Sequence, residues 1–104
     1  MKASVIIPVW NGGVYLSNCL DALLAQSYTD FEVIVVDDAS TDGSADYVAQ
    51  HYPSIQLLQN EQNRGYAITC NRGIDAADSD ILVLLNQDTE VHPGWLSALV
   101  ETIK

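Results

Sequence analysis

Carboxylates and amides stand at the points where the aliphatic runs of this 104-residue chain stop. Val33-Ile34-Val35-Val36 ends in Asp37-Asp38, Ile81 through Leu85 ends in Asn86-Gln87-Asp88 with Glu90 close behind, and Ile6-Ile7-Pro8-Val9-Trp10 ends in Asn11. Oxygen donors of this kind accept hydrogen bonds from a polar ligand or hold a hard divalent cation. No lysine or arginine stands near Asp88 and Glu90 to neutralise them, so that cluster is either wet or metal-bound. Each group also has a plainer role. Acidic residues ahead of a helix cap it, and Asn86-Gln87-Asp88-Thr89 has the composition of a turn. Neighbouring residues of a strand point to opposite faces, so one of Asp37 and Asp38 is expected to address a ligand while the other caps the loop; Asp38 is assigned to the ligand.

Short aliphatic runs alternate with amphipathic stretches, the pattern of repeated βα units. Ser4 to Val9 reads as a first strand. Asn11-Gly12-Gly13 breaks it, and Leu16, Leu20, Leu23 and Leu24 then recur on one face of a helix that ends by Tyr28-Thr29-Asp30. Phe31 to Val36 is the second strand, followed by a loop of turn formers and by a helix with Ala45, Val48, Ala49 and Tyr52 inward. Pro53 stops that helix, Ile55 to Leu58 forms a third strand, and Gly65 to Ala77 a third helix with Ala67, Cys70 and Ile74 inward. Asp80 opens the fourth strand, whose solid run Ile81 to Leu85 reads as buried on both faces. Pro93 suits the first turn of a last helix with Leu96, Leu99, Val100 and Ile103 inward.

Right-handed crossovers between such units give an α/β, open doubly wound, Rossmann-like and mainly parallel sheet with helices on both faces. The expected strand order is 3-2-1-4. Ligands of such sheets bind at the carboxyl ends of the strands where the order reverses, which places a crevice between Asn11 and Asp88.

Residues 1–104 suffice for one domain. The formal net charge of −10, with only Lys2, Arg64, Arg72 and Lys104 as fixed cations, argues against nucleic acid as a partner. Cys19 and Cys70 lack metal or redox spacing and read as reduced core residues on helices, which implies a reducing, cytoplasmic location. No apolar run is long enough for a membrane span. His51 reads as a surface residue and His92 as one leading into the last helix, while Tyr66 and Trp95 read as packing. A phosphoacceptor receiver domain requires its acidic pair after the first strand. A dinucleotide fold requires GxGxxG, which Asn11-Gly12-Gly13 is not.

Four blocks in order, Ser4-Val5-Ile6-Ile7-Pro8-Val9-Trp10-Asn11, Val35-Val36-Asp37-Asp38-Ala39-Ser40-Thr41-Asp42-Gly43, Asn63-Arg64-Gly65 with Asn71-Arg72-Gly73, and Leu84-Leu85-Asn86-Gln87-Asp88-Thr89-Glu90, resemble family 2 glycosyltransferases of the GT-A fold. The resemblance spans nearly the whole chain and corresponds to the amino-terminal, nucleotide-sugar-binding half of such enzymes. The Asn-x-Asp form with Thr89-Glu90-Val91 is similar to a rhamnosyltransferase-like branch. The resemblance implies that Pro8, Val9 and Trp10, leading into Asn11, lie along the nucleotide base and that Asp38 bonds base or ribose. It makes Asn86 the first position of the DxD motif and Asp88 the last, holding Mn2+ or Mg2+ against the sugar diphosphate. Cys70 stands where many relatives carry arginine, so a diphosphate contact falls to Arg64 or Arg72.

The implied reaction is inverting transfer from a UDP-, dTDP- or GDP-sugar to a saccharide or lipid-linked acceptor in polysaccharide biosynthesis. The catalytic base and the acceptor region are expected beyond Lys104, so no catalytic residue is assigned within the chain, which is expected to be inactive alone. The competing reading is a non-catalytic nucleotide-binding or assembly module. An open aliphatic edge at the fourth strand would let two copies pair as a homodimer.

Overall fold

The computed structural model describes residues 1–103, in which strands and helices alternate strictly. The elements are β1 (Ala3–Val9), α1 (Gly13–Leu24), β2 (Phe31–Asp37), α2 (Ser44–His51), β3 (Gln56–Gln59), α3 (Tyr66–Ala76), β4 (Ile81–Leu84) and α4 (Trp95–Ile103). All pairings are parallel and the order is β3-β2-β1-β4, the reversal expected from the sequence. Boundaries differ by one residue at several ends. β2 runs on to Asp37, and β3 begins at Gln56 rather than at Ile55.

Two-residue alternation along β1 and β2 sends side chains into two layers. Val5, Ile7, Val9, Val33 and Val35 pack with Leu16, Leu20 and Leu23 of α1, Val48 of α2, and Leu96 and Val100 of α4. Ile6, Ile34 and Val36 face the opposite way, towards Ile74 of α3. Burial on both faces explains why these central strands read as unbroken aliphatic runs. Each fully buried aliphatic side chain contributes about 1.5–3 kcal/mol, so the two layers dominate the stability. On the thinner layer α3 comes very close to the sheet. A Cβ built at Gly73 would stand 2.5 Å from Ile6 Cγ2 and 3.1 Å from Val36 Cγ2, so only glycine admits this approach.

The fourth strand departs from the expectation of burial on both faces. Ile81 is buried and Val83 packs against the core, but Leu82 and Leu84 are 45% and 46% exposed. The cause is width. Strands lie about 4.8 Å apart and a helix with its side chains is about 10 Å across, so one helix covers roughly two strands. On this face α3 lies over β1 and β2, and β4 is left at the open edge.

Several helix positions also turn out differently. Leu24 and Ala49 are exposed because each follows a buried residue, Leu23 or Val48, and one residue rotates the helix by about 100°. The buried stripe of α3 runs through Thr69, Cys70 and Gly73, which leaves Ala67 at its margin and exposed. Ile103 ends α4 outside the core cluster. Cys19 and Cys70 are free, buried and helix-borne, as the sequence reading has them.

Candidate functional site

The β1–β4 ladder runs only from Ala3↔Ile81 to Ile6↔Leu84, whereas the β1–β2 ladder continues to Val9↔Asp37. Strands that separate early at the point of order reversal leave a crevice above their ends. Here it is a cleft of about 310 Å³ lined by Pro8, Val9, Trp10, Asp38, Tyr66, Thr69, Asn86, Gln87 and Asp88. Trp10 and Tyr66 are 53% and 60% exposed, so an aromatic wall stands open to solvent at this cleft.

The two adjacent aspartates behave differently because the backbone alternates. Asp37 turns to its own loop, where its carboxylate accepts the Ser40 N–H at 3.0 Å and the Ser40 hydroxyl at 2.6 Å. Asp38 is buried and lines the cleft. Its Oδ1 accepts the Arg64 N–H at 2.7 Å and the Asn60 Nδ2 at 2.9 Å, and its Oδ2 accepts the Gly65 N–H at 3.0 Å. Burial pushes the Asp38 carboxyl up, but the bonds from Asn60, Arg64 and Gly65 outweigh it and hold the group below the usual carboxylate range. Arg72 supports this arrangement from outside by donating to the Gln59 carbonyl at 2.7 Å and to Asn60 Oδ1 at 2.8 Å. The amide of Asn60 is thereby oriented with its NH2 towards Asp38.

The loop after β2, with Ser44 at the start of α2, also anchors the turn into α1, where backbone N–H groups at a helix start would otherwise be orphaned. Ser40 Oγ accepts from Asn11 N, Ser44 Oγ from Gly12 N, and Asp42 from Gly13 N. Asn11 and Ala39 are the non-glycine residues with positive φ among those described, at 47° and 60°, and both lie just past strand ends that frame the cleft. Backbone of this kind persists only where its surroundings hold it.

At the other end of the cleft lies the loop after β4. Asp88 is exposed and has no hydrogen-bond or ion-pair partner among the described residues, whose ion pairs, Met1–Asp30 and Lys2–Glu32, involve the amino-terminal residues. Beneath the loop, the Cys19 thiol donates to the Asn86 carbonyl at 3.6 Å. Burial, with Asp88 and Glu90 nearby and only partly offset by the Thr89 N–H, pushes this thiol up to about 11. Cys19 is therefore neutral packing and no nucleophile.

Of the residues singled out in the sequence, Pro8, Val9, Trp10, Asp38, Asn86 and Asp88 come together at one cleft. Asn11 and Arg64 do not join them, and neither does Arg72, whose guanidinium is turned to Gln59 and Asn60. The Asn11 side chain turns to Thr41, accepting its N–H at 2.8 Å, because the left-handed backbone at Asn11 directs it into the neighbouring loop. Arg64 contributes its backbone N–H to Asp38 and is not among the residues lining the cleft. Tyr66, read as packing, lines the cleft instead, along with Thr69 and Gln87. The signal for Tyr66 and Thr69 was available: a helix returning from β3 starts at the carboxyl edge, and residues three apart in its first turn share a face. His51 is exposed and stacks on Tyr47 at 4.3 Å, away from the cleft.

As for a cation, the cleft offers oxygen donors and no fixed positive charge, which suits a hard divalent ion. No group of three or more His, Cys, Asp or Glu among the described residues is placed to hold an ion. The single carboxylate of Asp88 fits a cation only where a ligand's phosphates complete the shell, as is usual for magnesium-type sites.

A parallel sheet of order 3-2-1-4 with a cleft at its reversal, walled by exposed aromatics and ending in an unpaired carboxylate, defines an α/β domain of the GT-A type. Residues 4–104 match Glycosyl transferase family 2, and the chain belongs to that family. It is 37% identical over 102 residues to the uncharacterized glycosyltransferase YibD of Escherichia coli K12, covering 95% of this chain and 29% of YibD. With glycosyltransferase AglE of Haloferax volcanii it is 35% identical over 105 residues, covering 96% of this chain and 34% of AglE. Among solved structures, S. aureus TarS 1-349 in complex with UDP-GlcNAc superposes with a TM-score of 0.90 at 29% identity, over 99% of this chain and 31% of that one. The mannosyltransferase PcManGT of Pyrobaculum calidifontis, in complex with GDP-Man and Mn2+, gives 0.87 at 30% identity, over 95% and 31%. The chain thus spans about a third of the length of the relatives it matches.

Proposed function

We propose that this chain is the donor-binding part of an inverting glycosyltransferase that takes a UDP-, dTDP- or GDP-sugar. The observation that carries the reading is the cleft itself, where an open aromatic wall and an unpaired carboxylate lie at the carboxyl ends of β1 and β4. Pro8, Val9 and Trp10 take the base, and Asp38 holds the turn at Arg64 and Gly65 that shapes the opposite side. Asp88, beside Asn86, faces the diphosphate through a divalent cation, Mn2+ or Mg2+. Such a cation would supply Lewis-acid stabilisation of the leaving nucleoside diphosphate.

In inverting transfer the bond from anomeric carbon to phosphate oxygen breaks as the acceptor oxygen attacks from the opposite face, and a carboxylate removes the acceptor's proton. We assign that base and the acceptor contacts to parts of the enzyme outside this chain. The Asn86-x-Asp88-Thr89-Glu90-Val91 sequence favours a rhamnosyltransferase-like branch, and the two unpaired thiols favour a cytoplasmic location.

The test is a thermal-shift series with UDP, dTDP and GDP, each with and without Mn2+. One nucleotide is expected to raise the melting temperature, more so with Mn2+, while Mn2+ alone changes little because one carboxylate is a poor site by itself. A panel in which no nucleotide stabilises the fold overturns the reading.

A second, non-catalytic reading, an assembly module, is favoured by one observation. β4 is an edge strand carrying the exposed Leu82 and Leu84. An open aliphatic edge invites pairing with a second copy. Light scattering at increasing concentration should then show a dimer, and Leu84→Lys should return it to monomer. A strict monomer throughout removes this reading. No helix among the described residues is long and apolar enough to cross a membrane.

A further inference from the structure

Beyond Ile6↔Leu84 the backbone ladder between β1 and β4 ends with one last bond, from Leu85 N–H to the Ile6 carbonyl at 3.0 Å. Two residues further on, a side chain closes the gap again. Gln87 Oε1 accepts the Trp10 N–H at 3.0 Å, and Gln87 Nε2 donates to the Trp10 carbonyl at 3.0 Å. A primary amide presents a donor and an acceptor side by side, as a strand edge does, so the pair reproduces the two-bond link of a ladder where the ladder itself has stopped.

The turn after β1 leaves the space this amide occupies. A Cβ at Gly12 would stand 3.2 Å from Gln87 Oε1, besides meeting Leu16 Cβ at 2.8 Å. Trp10 and Asp88 both line the cleft, and Gln87 is bonded to the first and is the chain neighbour of the second. Asp88 has no hydrogen-bond or ion-pair partner of its own among the described residues, so its distance from the aromatic wall depends on this neighbour.

We propose that Gln87 is a positioning residue that sets the register between the base-binding wall at Trp10 and the phosphate-facing carboxylate of Asp88. The proposal rests on the nucleotide-sugar reading above. A ligand held at both ends gains most when the spacing between them is preset, because no ordering remains to be done on binding. Gln87 should therefore govern how strongly the cation end reinforces the base end.

The test uses the full chain with Gln87→Met, which keeps the side chain's length without the amide, and Gln87→Asn. The second variant keeps a neutral amide but is one methylene too short to hold both the N–H and the carbonyl of Trp10. Calorimetry gives the affinity for UDP, dTDP and GDP in turn, with and without Mn2+, and the readout is the gain in affinity on adding Mn2+. Both variants should lose about tenfold of that gain, the worth of one to two ordinary hydrogen bonds. A purely structural role would weaken binding equally with and without Mn2+ and leave the gain intact. That result overturns the proposal and leaves the nucleotide-sugar reading standing. A wild-type chain that shows no Mn2+-dependent gain brings down the reading, and the proposal with it. Should Gln87→Met fail to fold, Gln87→Asn carries the same comparison.

Discussion

Asp38→Ala is expected to lower the unfolding free energy by about 3 kcal/mol, a large share of the roughly 5–15 kcal/mol that stabilises a domain. The carboxylate is buried and receives three hydrogen bonds, two of them from consecutive backbone N–H groups at Arg64 and Gly65 that have no other acceptor among the described residues. Removing it leaves those donors stranded and frees the turn that leads into α3. Asp38→Asn should cost less, since its carbonyl oxygen still accepts while its NH2 faces donors. The pH dependence follows from the same bonds. The folded carboxyl lies below its ordinary value of 3.8, so its stabilisation is complete at neutral pH and is lost as pH falls through the lowered folded value. Asp42, held by Ser44, and Glu32, held by Ser4, are lowered too and act in the same direction. Urea titrations at neutral pH and near pH 3 should show the wild type losing stability in acid and Asp38→Asn losing less of it. A loss below about 1 kcal/mol for Asp38→Ala would mean that water replaces the carboxylate and that the turn does not depend on it.

Asp88→Asn should do the opposite, leaving stability within about 0.5 kcal/mol while removing at least about tenfold of the Mn2+-dependent affinity for a nucleoside diphosphate. Asp88 is exposed and makes no hydrogen bond or ion pair among the described residues, so no such contact in the fold is lost with its charge. In a chain of net charge −10, the loss of one unpaired negative group carries no electrostatic cost. On the proposed function a divalent cation bridging to a diphosphate would depend on it, because no cluster of acidic, His or Cys side chains among the described residues offers a replacement. The measurement is a pair of urea curves and a pair of calorimetric titrations on the same preparations. Asp88→Asn with its Mn2+ gain intact would remove Asp88 from the site. The two aspartates are thus separable: one organises the backbone of the cleft, and the other is left without a hydrogen-bond or ion-pair partner among the described residues.

That separation was only half legible in the sequence. Both residues follow aliphatic strands, and strand ends are where open α/β sheets bind ligands, so both were candidates on position alone. What position cannot show is how many donors a carboxylate already has. The donors of Asp38 come from residues 22 to 27 positions away in the chain, and no local pattern announces them. Arg64 illustrates the reverse case: its charge suggests a phosphate contact, and the contact that the structure shows is made by its backbone N–H. Asn11 likewise has its amide turned to Thr41 rather than to the cleft. Tyr66 differs from the expectation of packing because the helix returning from β3 starts at the carboxyl edge of the sheet, which leaves its first-turn aromatic open at the cleft.

Periodicity determined the element order, the parallel sheet and its reversal between the first and fourth strands, because those properties follow from two-residue and 3.6-residue spacing within short windows of chain. Clustered blocks of residues determined the family resemblance for the same reason. Tertiary structure alone decided which faces are covered. Ile81 to Leu85 is as aliphatic as the central strands, yet Leu82 and Leu84 stay open because a single helix spans only two strands of that layer. It also decided the bond between Gln87 and Trp10, which joins positions 77 residues apart. A side-chain amide paired with a distant backbone leaves no trace in local sequence, and that is why the contact spanning the cleft had to be seen in three dimensions.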